Sequence, residues 1–116
     1  MILYWLIPGL TKRPKELSDI KQRRDRIIEI VCNHYNTGYG RLQLKLRKRE
    51  VVLPRQVLMY MLKKNTSMTL KQIGYLFQKD HTTVIHAMQT VDDLCVEDLH
   101  RHDIMVVQSK IEMAIN

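Results

Sequence analysis

The chain has 116 residues, enough for one domain and too few for two. With 45% hydrophobic and 27% charged residues it has an ordinary globular composition, which excludes the disordered and fibrous classes. Nineteen basic against 12 acidic residues leave a net charge of +7, and the imbalance is regional: residues 1–88 hold 17 basic and 6 acidic side chains, residues 89–116 hold 2 and 6. A basic body with an acidic tail points to a polyanionic partner, either nucleic acid or an anionic membrane surface.

Residues 1–17 read as an irregular segment: apolar Met1–Ile7, then Pro8-Gly9, then the basic stretch Lys12, Arg13, Pro14, Lys15. The apolar run is too short to span a bilayer and no basic residue precedes it as in a signal peptide, so a membrane is not an expected partner. Residues 18–116 read as the domain. From Ser18, an expected N-cap, Ile20, Ile27, Ile28, Val31 and Tyr35 share a helical face, with Gly38 just past the end. Leu42, Leu44 and Leu46 then alternate, which fits either a strand or a short helical turn followed by a basic loop. Pro54 reads as the first-turn proline of a helix that continues through Val57, Leu58, Met61 and Leu62 and ends by Asn65. Thr69 and Gln72 form a capping box ahead of the stripe Leu70, Ile73, Leu76, Phe77. A longer helix follows Gln78-Lys79-Asp80 and buries Val84, Ile85 or Met88, Val91, and Leu94 or Cys95. The last helix, from about Ile104, carries Val107, Ile111 and Ile115. About five helices and no convincing strand predict an all-α domain.

Cys32 and Cys95 form no metal-ligand pattern with the histidines and read as reduced thiols of a cytoplasmic protein. There is no phosphate-binding loop, nucleophile elbow or H-E-x-x-H, so no nucleotide, cofactor, metal or enzymatic activity is expected. His34, His100 and His102 show no metal spacing, and His86, five residues after His81, reads as a packed histidine. Met59, Met61, Met88, Met105 and Met113 read as core filler.

Residues 69–94 have the order of a helix-turn-helix: a short capped helix, a tight turn and a second helix. In that motif the N-terminal residues of the second helix face base edges. Here they are Lys79, Asp80, His81, Thr82 and Thr83, denser in short polar groups than a cap alone requires. Asp80 can accept from a cytosine amino group, His81 can donate or accept, and a Thr methyl can pack on the thymine methyl. Asp80 as a plain N-cap with solvated neighbours is the competing reading.

Arg47-Lys48-Arg49-Glu50-Val51-Val52-Leu53-Pro54-Arg55-Gln56, then Leu70-x-x-Ile73-Gly74, then Asp80-His81-Thr82-Thr83-Val84-Ile85-His86-Ala87 together resemble the C-terminal DNA-binding domain of DnaA, the bacterial replication initiator. The likeness spans roughly residues 18–115, and the D-H-T-T-V-x-H-A octet is far more specific than a generic helix-turn-helix. The resemblance implies a Trp-repressor-like all-α fold that binds double-stranded DNA at an asymmetric element, TTATCCACA and near variants. It assigns Asp80, His81, Thr82 and Ile85 to bases in the major groove and Arg47, or Arg49, to the minor groove. Lys45, Lys48, Arg49, Arg55, Lys63, Lys71, Lys79 and Thr83 are expected on phosphates.

Two departures stand out. Many members carry a glycine-containing turn one residue longer before the signature Asp, whereas Phe77-Gln78-Lys79-Asp80 is shorter and has no glycine. Only 17 residues precede the domain, so the nucleotide-binding AAA+ module of the initiator is expected to be missing and the address-reading part to stand alone. The expected role is replication initiation or its regulation. A transcription regulator with its own operator and a basic module docking an acidic protein are the alternatives. Oligomeric state stays open, since Trp-repressor relatives dimerise while the DnaA domain reads its box alone.

Overall fold

The computed structural model describes residues 14–115, so the apolar Met1–Ile7 segment lies outside the described residues. Six helices follow in order: α1 (Pro14–His34), α2 (Tyr39–Leu42), α3 (Arg49–Asn65), α4 (Leu70–Leu76), α5 (His81–Val96) and α6 (Asp98–Ile115). Among the described residues there is no strand, as the all-α reading expects. The sixth helix is the single turn α2, which settles the Leu42–Leu46 alternation as a helical turn followed by a basic loop.

The axis of the molecule is α3, which α1, α2, α4 and α5 all touch. Val51, Val57, Leu58, Met61 and Leu62 on it are fully buried and Met59 nearly so, each stabilising the fold by about 1.5–3 kcal/mol. Ile27 and Val31 of α1, Leu42 of α2, Ile73 of α4, Val84, Ala87 and Val91 of α5, and Val107 and Ile111 of α6 close around it. Phe77, fully buried beyond α4, meets Tyr39 edge-on at 6.0 Å between ring centroids.

Several boundaries differ from the sequence expectation. Helix α1 begins at Pro14, not Ser18, so residues 14–17 are helical and not irregular. A proline suits a helix start, because its missing N–H and fixed φ cost nothing there. The helix ends four residues before Gly38. Asn36 takes the left-handed conformation (φ 52°), and Thr37 N–H donates to Cys32 O at 2.9 Å while Asn36 N–H donates to Asn33 O at 3.2 Å. That is a Schellman closure with asparagine in the glycine position. Pro54 is the sixth residue of α3 and not its first, because the buried Val51 draws an extra turn into the helix; the Glu50 carbonyl loses its helical donor in exchange. Helix α6 starts at Asp98, six residues before Ile104.

The methionine expectation holds in part. Met59 and Met61 are buried and Met88 is half-buried, but Met105 (59% exposed) and Met113 (83% exposed) lie on the outer face of α6. Met68, which the apolar spacing did not single out, is buried.

Candidate nucleic-acid interface

The helix-turn-helix is built by two closures. At the start of α4 the Thr69 hydroxyl accepts from Gln72 N–H at 3.1 Å, and the Gln72 side-chain oxygen accepts from Thr69 N–H at 2.8 Å. This is the predicted capping box. At the end of α4, Lys79 N–H donates to Gly74 O at 2.8 Å and Gln78 N–H to Tyr75 O at 3.2 Å. Gln78 sits at φ 53°, so the turn that lacks glycine closes by forcing glutamine into the left-handed region. A glycine is required inside the helix instead. A Cβ on Gly74 would lie 2.5 Å from the Lys79 carbonyl oxygen, a distance real contacts do not reach. Gly74 therefore fixes how closely the turn, and the first residue of α5, approach α4.

Helix α5 opens with its polar groups outward. Asp80 occupies the N-cap with extended backbone (φ −69°, ψ 155°), but its side chain makes no capping bond to the helix N-terminus. Its Oδ1 lies 2.7 Å from His81 Nδ1 instead. The neighbouring Thr82 side chain holds its carboxyl below the usual carboxylate range, so it remains an acceptor at neutral pH. Asp80, His81, Thr82 and Thr83 are all exposed, and Ile85 is half-buried one turn on. Thr83 N–H donates to Asp80 O at 3.0 Å, closing the first turn.

Beside this turn, the basic loop and α3 enclose a cleft of about 350 Å³ whose cationic lining is Lys45, Arg47, Arg55 and Lys79. Thr83, His86 and Gln56 line it too. The cleft separates the two arginines between which the sequence left a choice. Arg47 lines it, whereas Arg49 lies across α3 with Lys48, Tyr35, Leu53 and Pro54, its Nη2 3.4 Å from His100 Nε2. Lys63, exposed in the last turn of α3, does not reach the cleft. Lys71 belongs to a second groove of about 480 Å³ between α1 and α4, which it shares with Lys21, Arg24 and the 83%-exposed Tyr75.

Two residues depart from their expected places. The structure turns Arg55 inward, against the expectation of a phosphate contact: it is 8% exposed, and its Nε and Nη2 are occupied by loop carbonyls. His86 is not packed but exposed on the cleft. Helical spacing contained that signal, since His86 is three residues after Thr83 and shares its face, whereas the five-residue interval from His81 pointed elsewhere. Gln56, next to Arg55, also lines the cleft; it closes the Arg47–Gln56 segment, but the sequence reading gives it no role.

Among the described residues there is no cluster of histidine, cysteine or acidic side chains that could hold a metal. No helix is long and apolar enough to cross a membrane among those residues. Cys32 is buried and Cys95 half-buried, and neither is in a disulfide.

Comparison with known proteins is consistent with this geometry. The family described as the bacterial dnaA protein helix-turn-helix matches residues 24–91, from the middle of α1 through most of α5. The chain is 44% identical over 75 residues to the chromosomal replication initiator protein DnaA of Bacteroides fragilis, covering 64% of this chain and 16% of that protein. It is 37% identical over 99 residues to the DnaA of Chloroflexus aggregans (79% and 21%) and 42% identical over 91 residues to that of Thermus thermophilus (72% and 21%). The chain thus spans about a fifth or less of the length of these relatives.

Proposed function

Because the chain belongs to the bacterial DnaA helix-turn-helix family, a family of DNA-binding domains, we propose that it reads an asymmetric DnaA-box-like duplex in replication initiation or its regulation. The observation that carries this reading is the exposed polar turn Asp80–Thr83, whose side chains bond only one another and the turn, beside a cleft lined by Lys45, Arg47 and Lys79. The division of labour follows from chemistry. Phosphate contacts fix position and supply salt-dependent affinity, and base-edge contacts supply preference. Asp80, His81 and Thr82 read the major groove, with Ile85 against a thymine methyl, and Arg47 enters the adjacent minor groove, where negative potential attracts a guanidinium. Lys45, Lys79 and Thr83 hold the backbone flanking the cleft, and Lys48, Arg49, Lys63 and Lys71 add phosphate contacts farther out.

Fluorescence anisotropy on a labelled TTATCCACA duplex and its scramble, over a range of salt, tests this. The box should bind more tightly, with log K falling against log[salt] at a slope of roughly −5 to −7 for six to eight phosphates. Equal affinity for both duplexes, or association indifferent to salt, overturns it.

A further inference from the structure

The basic loop has almost no backbone hydrogen bonding of its own. Leu44 N–H donates to Arg41 O, but the next backbone donor to a backbone carbonyl among the described residues is Val51, inside α3. Lys48 O accepts from Val51 and Val52 N–H and Leu46 packs against the core, but the carbonyls leading up to Arg47 are gathered by one side chain. Arg55 Nε donates to Leu42 O at 2.7 Å, and its Nη2 donates to Leu44 O at 2.6 Å and to Leu46 O at 3.3 Å. The carbonyls of the three alternating leucines thus converge on one guanidinium, and the last belongs to the residue before Arg47. Two further ties hold the ends of the stretch: Gln43 Nε2 donates to Leu76 O at 2.9 Å, and Arg41 pairs with Glu50 at 3.0 Å.

We propose that Arg55 is a positioning residue which acts on DNA through Arg47, by holding the loop in its binding conformation before DNA arrives. This rests on the reading above, in which Arg47 enters the minor groove. An arginine with Nε and Nη2 committed to carbonyls, at 8% exposure, is better placed to hold the loop than to anchor a phosphate. It is well placed to spare the loop the ordering that a mobile segment undergoes on association. The guanidinium fork matters: Nε and Nη2 diverge and reach separate carbonyls, which the single ammonium of a lysine cannot do.

The test is a double-mutant cycle on the box duplex with Arg47→Ala and Arg55→Lys, which retains charge at position 55. Arg47→Ala alone should weaken the box by about tenfold and lower the salt slope by about one unit. In the Arg55→Lys background the same substitution should cost less than about threefold and leave the slope unchanged, because Arg47 is no longer held in place. Arg55→Lys alone should also weaken box binding about tenfold, although charge is conserved. Additive losses, or an Arg55→Lys protein that binds like the parent, overturn the proposal.

A second measurement needs no variant and stands if Arg55→Lys fails to fold. In the unliganded protein, backbone amides of Leu46–Lys48 should show NMR order parameters near 0.85, like those of α3, and values below about 0.6 overturn the inference. A parent chain that does not prefer the box to its scramble overturns the proposed function itself, and a drop in the Leu46–Lys48 order parameters from parent to Arg55→Lys then decides whether Arg55 rigidifies the loop.

Discussion

The two helices of the motif begin in opposite ways. At the start of α4, Thr69 and Gln72 spend their side chains on each other's backbone, and the helix end is satisfied locally. At the start of α5, Asp80 sits in the same N-cap position but makes no such bond, and three more polar side chains follow it into solvent. A cap bonded into its helix end stabilises the fold, while a carboxylate held by exposed neighbours, as Asp80 is by His81 and Thr82, can exchange those partners for a ligand. The two helices are told apart by what their first turns do with their oxygens.

The largest expected effect comes from breaking the joint between the two helices. Gly74→Ala drives a Cβ into the Lys79 carbonyl, so the turn and the start of α5 must move apart. Thermal and denaturant unfolding should show a loss of about 1–3 kcal/mol, and box preference should fall with it. Thr82→Ala probes the reading end alone. It should cost about 1–3 kcal/mol on the box, little on scrambled DNA, and leave both the salt slope and the unfolding midpoint where they were. Thr69→Ala is its mirror image: about 1 kcal/mol of stability lost, with the ratio of box to scrambled affinity unchanged. A Thr69→Ala protein of parental stability, or one that loses box preference, would erase the contrast.

The smallest effect is at the seam between α1 and α6, far from either cap. Asp103 accepts from Tyr35 OH at 2.9 Å and is 2.7 Å from His34 Nε2. Burial works against its charged form, but the bonds from His34 and Tyr35 outweigh that and hold its carboxyl below the ordinary range. Burial and the Asp103 bond together push the Tyr35 hydroxyl up. A depressed carboxylate stabilises the fold above its unfolded value, near 4, and loses that contribution as pH falls toward the folded value. Since Asp103 is well exposed to solvent, the contribution should stay below about 1 kcal/mol. Acid unfolding curves should therefore flatten slightly below about pH 4 in Asp103→Asn, with DNA preference untouched.

Most of this arrangement could be read from residues close together in the chain. The capping box, the Ile73–Phe77 stripe and the density of polar groups after Lys79 are local signals, and each describes its helix correctly. The failures have physical causes. The start of α6 was placed late because its first turns carry His100, Arg101 and His102 where an apolar stripe would be. Helix α1 was cut short because Ser18 resembles a cap, although Pro14 already starts the helix. Arg55 could not be placed from sequence, because its partners are carbonyls 9 to 13 residues away whose positions exist only once the loop has folded.

The face proposed to meet DNA is the first turn of α5 with the cleft beside it. Amide chemical shifts recorded while the TTATCCACA duplex is titrated into the chain test this most directly. The largest changes are expected at residues 79–86 and 45–47, with silence along the outer face of α6 around Met105 and Met113. Changes concentrated on α6, with Asp80–Thr83 unmoved, would contradict it.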